Sequence, residues 1–115
     1  MTIQDNFRQR IWQIVAAIPY GKVTTYGEIA CLAGSPRAAR QVGGVLKRLP
    51  PESKLPWHRV INRMGKISLS GDNLARQRQA LMAEGIEVTP EGKIVLRRYR
   101  WEVTEMTAQE LKQKA

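Results

Sequence analysis

The chain has 115 residues, with 19 Lys+Arg against 10 Asp+Glu and one His, a formal net charge of +9 at pH 7. A chain this long buries roughly two-thirds of the surface its unfolded form exposes, enough for one core without staples, and its single Cys excludes a disulfide framework. No apolar run approaches the ~20 residues of a membrane span, and MTIQDNFRQRIWQIVAAIPYG lacks a basic leader, apolar core and cleavage site, so the expectation is a cytoplasmic protein, nucleoid-associated in a bacterium, with no membrane partner.

The charge is uneven. Residues 1–60 hold nine basic and three acidic side chains (9 − 3 = +6), and residues 61–115 hold ten and seven (10 − 7 = +3). A balance this basic fits nucleic acid as partner, and it places the binding face in the first half.

In chain order, Phe7, Ile11, Ile14, Val15 and Ile18 share one stripe of an amphipathic helix, which Pro19-Tyr20-Gly21 ends. Thr25 and Glu28 stand at capping-box spacing before a helix from Tyr26 to Leu32. Ala33-Gly34 reads as a tight turn, and Ser35-Pro36 as the N-cap and first residue of a third helix running to Arg48. Two short helices joined this way outline a helix-turn-helix, with Arg37–Arg48 as the recognition helix. That helix keeps Ala38, Ala39, Gly43 and Gly44 small among Arg37, Arg40, Lys47 and Arg48. Interior glycines cost about 1 kcal/mol each relative to alanine, so something is expected to press closely on this helix: a nucleic-acid groove or a neighbouring helix.

Val60-Ile61 and Ile67/Leu69 flank Asn62–Lys66 and read as a hairpin, the place of a wing. Ser70–Asn73 leads into a helix from Leu74 to Glu84 with Gly85 as left-handed cap, and Ile86–Thr89 with Lys93–Leu96 forms a second hairpin. The domain ends near Val103, and residues 104–115 read as a weakly helical, partly disordered tail. The fold class expected is mainly α with short β-hairpins, a winged-helix-like helix-turn-helix domain.

Chemistry is sparse. A lone His is more often a hydrogen-bonded core residue than a catalyst, and one His with one Cys assembles no metal site. Cys31, within IACLA, reads as a small buried hydrophobe. No phosphate loop, nucleophilic triad or carboxylate pair follows from spacing, and no cofactor is implied. The residues by themselves lead to a DNA- or RNA-binding helical domain.

Two stretches carry more. LPWHRV, residues 55–60, resembles the Pro-Cys-His-Arg-Val motif of the O6-alkylguanine-DNA alkyltransferases, with Trp57 in the nucleophile's place, and residues 20–46 resemble that family's helix-turn-helix almost position by position. The resemblance covers residues 7–96, and Trp in the Cys position marks the alkyltransferase-like proteins. It implies the fold of the alkyltransferase C-terminal domain, no enzyme activity, and binding of O6-alkylguanine in double-stranded DNA through the minor groove. The base is flipped and the site flagged for nucleotide excision repair proteins, by a monomer.

By position, the resemblance implies DNA contacts at Tyr26, Ala38, Ala39, Arg40 and Gly43, and the basic charge of the helix adds Arg37 and Lys47. Arg40 matches the arginine that fills the space of the extruded base, and Tyr26 the tyrosine that rotates its phosphate. A lesion pocket is implied at Tyr26, Trp57, Arg59, Val60, Leu69 and Ser70. His58 and Glu84 match the ends of a His–water–Glu relay, vestigial here because the indole N–H of Trp57 is a donor with no free lone pair for the displacement. The family's active-site asparagine aligns with Leu49, a departure that also fits lost catalysis. Arg97, Arg98 and Arg100 fit either phosphate contacts or a solvated basic surface. Two competing readings are residual alkyl transfer to another nucleophile such as Cys31, and a transcription regulator reading the major groove with Arg37 and Arg40.

Overall fold

The apolar stripe of the first segment does what its spacing demands. In a computed structural model that describes residues 3–103, helix α1 spans Ile3–Ala17, and Ile11, Ile14, Val15 and Ile18 are buried. They pack with Ile29 and Ala30 of helix α2 (Tyr26–Leu32) and Val42 of helix α3 (Ala39–Lys47) into one core. A second core gathers Val23, Ile61, Ile67, Leu81, Ile86, Val88 and Ile94, beneath helix α4 (Gly71–Ala83) and beside the short helix α5 (Leu96–Tyr99). The tail expected at residues 104–115 lies outside the described residues. No helix among the described residues is long and apolar enough to cross a membrane.

A two-residue parallel pairing joins the two cores. Strand β1 (Thr24–Thr25) lies against β2 (Val60–Ile61), with Thr24 level with Val60 and Thr25 with Ile61. Successive strand side chains point to opposite faces, so Val60 enters the first core and Ile61 the second.

The fold is mainly α, as expected, but the hairpins are corrected. Val60-Ile61 pairs in parallel with β1 and not with Ile67/Leu69. Asn62–Gly65 does form a turn (Gly65 N to Asn62 O, 3.0 Å), locked by the Asn62 side chain accepting from Met64 N and Lys66 N. The chain then leaves to bridge Lys66 with Lys93 and to donate from Ile67 N to Gly92 O at 2.9 Å. The second hairpin keeps its turn (Thr89 N to Lys93 O, 3.0 Å), while Leu96 onward coils into α5.

Caps set the helix ends. Thr25 Oγ1 accepts from Glu28 N at 3.1 Å, as the capping box requires, but Glu28 does not reciprocate. Its carboxylate accepts from Thr24 Oγ1 at 2.8 Å and pairs with Arg100. At the end of α2, Gly34 (φ +85°) closes a Schellman motif, with Ser35 N on Ala30 O and Gly34 N on Cys31 O. Before α3, Ser35–Ala38 makes a turn of its own (Ala38 N to Ser35 O, 2.9 Å). Pro36 occupies the second position of this turn, where its fixed φ fits, and α3 starts at Ala39 with no side-chain cap. The recognition helix is therefore shorter than Arg37–Arg48. Cys31 is exposed, because its position on α2 faces away from the stripe carried by Ile29 and Ala30.

Candidate functional site

Helix α3 has two unlike faces. Ala38, Val42, Val45 and Leu46 pack on the first core. Arg40, Gly43, Gly44 and Lys47, at spacings of three, one and three, form a stripe on another face, with exposed cations at both ends. Between them the backbone is bare. A Cβ built on Gly44 would meet nothing within 4 Å, and one on Gly43 would meet only the edge of the Tyr26 ring, at 3.9 Å. Among the described residues neither glycine is demanded by packing, so no neighbouring helix there explains this composition.

Tyr26 opens α2 immediately after the Thr25 cap. Its half-buried ring packs on the first core beside Gly43, and its hydroxyl lies 3.0 Å from Ser68 Oγ. Ser68 sits between Ile67 and Leu69, whose side chains enter the second core, so strand-like alternation turns the serine outward. No signal in the sequence singled it out.

The motif around Trp57 is folded by its proline. Pro56 (φ −78°, ψ 60°) makes an inverse γ-turn, with Trp57 N on Leu55 O at 2.8 Å, and a 3-10 turn over Trp57–Arg59 follows. Trp57 is half-buried and meets the His58 ring edge-on, with centroids 6.3 Å apart. Behind them lies an ionic cluster. His58 Nε2 and Glu84 Oε2 are 2.5 Å apart, in direct contact. Arg59 Nε lies 3.0 Å from both Glu84 oxygens, Arg59 Nη1 donates to Ile18 O at 2.7 Å, and Gly21 N donates to Glu84 Oε1 at 2.8 Å.

Local structure delivers Glu84 to this point. It is the C-cap of α4, held there by a second Schellman motif in which Gly85 (φ +82°) takes the left-handed position foreseen from the sequence. The Glu84 side chain is only 6% exposed. Burial opposes its ionisation, yet the Arg59 guanidinium, the Gly21 N–H and His58 outweigh that and hold the carboxyl below its ordinary range. Arg59 also lies over the Tyr20 ring, 5.7 Å from its centroid, and the Tyr20 hydroxyl donates to Ala83 O at 3.0 Å. The cluster thus ties α1, the 3-10 turn and α4 together.

Several expected site residues stand elsewhere than assigned. Val60 is 1% exposed and Ala38 9%, both in the first core, so neither presents a side chain to a ligand. Arg59 is consumed by Glu84 and Ile18 and serves as a strap, not a pocket wall. Arg37 is exposed but precedes α3, and Ala39 is half-buried at its first turn. Leu69 is half-buried against the second core, and Ser70 is exposed as the N-cap residue of α4. The structure brings Tyr26 to the segment carrying Leu69 and Ser70, and Trp57 to His58 and Glu84.

A shallow groove lined by Ser35, Pro36, Arg37, Ala38 and Gln41 lies at the head of α3. Of the arginines near the end of the described chain, Arg98 pairs with Glu87 at 3.2 Å and Arg100 with Glu28, leaving Arg97 the best placed for an outside anion.

The family model of the 6-O-methylguanine DNA methyltransferase DNA-binding domain matches residues 6–86. The chain is 70% identical over 101 residues to the DNA base-flipping protein of Escherichia coli (strain K12), covering 88% of this chain and 78% of that protein. It is 47% identical over 103 residues to alkyltransferase-like protein 1 of Schizosaccharomyces pombe, covering 84% and 95%. The crystal structure of S. pombe Atl1 with damaged DNA containing O6-carboxymethylguanine matches with a TM-score of 0.80 at 45% identity, over 89% of this chain and 99% of that one.

Proposed function

Because this chain belongs to the family of the 6-O-methylguanine DNA methyltransferase DNA-binding domain, we propose that it is a non-enzymatic sensor that binds O6-alkylguanine in duplex DNA, flips the base and flags it for nucleotide excision repair. The relatives named for base flipping, and the Atl1 complex with O6-carboxymethylguanine DNA, support the binding half. Trp57 supports the non-enzymatic half: the indole cannot displace an alkyl group, and His58 and Glu84 are locked in a structural cluster. Handing the site to repair proteins, acting as a monomer and working in the cytoplasm or on the nucleoid complete the proposal.

The observation that carries the docking mode is the bare stripe of α3. Cations at Arg40 and Lys47 anchor the ends to phosphates or bases, and the missing Cβ atoms of Gly43 and Gly44 let the helix backbone enter a narrow groove, which favours the minor one. On this reading Tyr26, Arg37, Ala39, Arg40, Gly43 and Lys47 form the DNA face, and Trp57, Leu69 and Ser70 stand toward the flipped base.

Alanine at Gly43 and Gly44 tests it with effects of opposite sign. Each substitution raises the stability of the free protein by roughly 0.5–1 kcal/mol, because alanine is the better helix former and its methyl has room. The same change weakens duplex binding about fivefold or more if a groove must approach the backbone, since overpacking typically costs about 1–3 kcal/mol. Urea unfolding and a binding titration read the two effects. A variant that is more stable and binds as well as wild type rejects the close-docking mode.

A further inference from the structure

We propose that Ser68 is a positioning residue that orients the Tyr26 hydroxyl toward a DNA phosphate; the inference rests on the DNA-binding reading above. The two hydroxyls lie 3.0 Å apart, joining segments 42 residues apart in the chain, at the exposed end of the tyrosine. A phenol carries one proton and acceptor lone pairs, and so does a serine hydroxyl. A phosphodiester has only acceptors to offer, so the Tyr26 proton must point at it. The arrangement that satisfies all three groups has Ser68 Oγ–H donating to Tyr26 Oη while the tyrosine O–H is directed outward. Donation into the phenol oxygen also polarises its O–H and makes it a stronger donor.

Both partners are held for this task. The Tyr26 ring is fixed by its place after the Thr25 cap and by the core around it, next to a position where Gly43 leaves room. Ser68 is fixed by its neighbours: Ile67 is buried, with its N–H on Gly92 O at 2.9 Å, and Leu69 packs on the same core. The serine hydroxyl thus stands at the edge of the proposed DNA face, free to donate to Tyr26, and takes no place in either core.

A double-mutant cycle decides the proposal. Dissociation constants at one salt concentration are measured for wild type, Ser68→Ala, Tyr26→Phe and the pair, on duplexes carrying a single O6-methylguanine or guanine. Base extrusion is followed by 2-aminopurine fluorescence beside the lesion. Ser68→Ala is expected to weaken lesion binding about three- to tenfold and to lower the extrusion signal, the range of one hydrogen bond between neutral groups. It adds nothing once Tyr26 is phenylalanine, and Ser68→Thr restores wild-type behaviour. Melting temperatures stay at the wild-type value, which a structural role would not allow.

Independent effects of the two substitutions, or full affinity in Ser68→Ala, overturn the proposal. If wild type binds both duplexes equally, the lesion reading fails. The cycle on undamaged DNA then still decides Ser68: coupling there upholds its role toward a phosphate, and additivity rejects it.

Discussion

Arg40→Ala lowers the preference for an O6-methylguanine duplex over its undamaged counterpart about tenfold or more, while binding of undamaged DNA changes far less. Extruding a base costs a few kcal/mol, least for a damaged one, and the protein must offset that with groups that fill the emptied stack. Arg40 fits this role: it is exposed, stands at the N-terminal end of the bare stripe, and has no carboxylate partner among the described residues. Losing about 1.4 kcal/mol of that offset is a factor of ten. The fold should be untouched, because alanine is the better helix former at an exposed site. Lys47→Ala gives the contrasting pattern. It weakens damaged and undamaged duplexes alike and lowers the salt slope by about one, as loss of one phosphate contact does. Matched titrations at several salt concentrations separate the two, and uniform losses from both variants would rule out a wedge at Arg40.

Glu84→Gln has the largest expected effect on stability. The carboxylate accepts from Arg59, His58 and Gly21, and Arg59 is itself only 15% exposed, so removing the charge leaves a largely buried guanidinium without its counter-ion. Breaking such a pair costs on the order of 3 kcal/mol, which lowers the melting temperature by roughly 10–20 °C in a domain of this size. The pH dependence has a definite sign. The folded-state pKa of Glu84 lies below its unfolded value, so its stabilisation is fully present above the ordinary carboxylate range and is lost as pH falls through the lowered value. Urea midpoints of wild type should therefore drop on acidification through that window, by more than those of the Gln variant. A variant as stable as wild type at neutral pH would show that the cluster holds nothing together.

The contrast between Arg40 and Glu84 bears on what was legible in the sequence. Local signals read well: the stripe of Ile11, Ile14, Val15 and Ile18, the Thr25 cap and the left-handed Gly85 all formed as spacing and chemistry require. The pairing of His58 with Glu84 came from family resemblance, since nothing in their spacing puts residues 26 apart in contact. What escaped was long-range. The parallel pairing of Thr24–Thr25 with Val60–Ile61 spans two residues and leaves no periodicity, so Val60 was placed in a pocket and not in the core. The resemblance puts Arg59 in the lesion pocket, whereas Ile18 O and Glu84 claim its guanidinium. Helix α3 starts at Ala39 because Ser35–Ala38 makes a separate turn first, an outcome of local geometry that the preference of Ser-Pro for helix starts does not reveal.

The free chain also separates the competing readings. Residual alkyl transfer needs a nucleophile at the lesion; Cys31 is exposed but sits within α2, and the motif position itself is held by Trp57. A major-groove regulator has no need of two glycines in the middle of its reading face, where any small polar residue would give base contacts at lower conformational cost. The regulator reading leaves Gly43 and Gly44 without a physical reason.

The most direct test of the account is a paired titration of one duplex carrying either guanine or O6-methylguanine at fixed moderate salt, followed by the intact mass of the protein. Tighter binding of the lesion with unchanged mass is the predicted result. A gain of one methyl group, or equal affinity for the two duplexes, would contradict it.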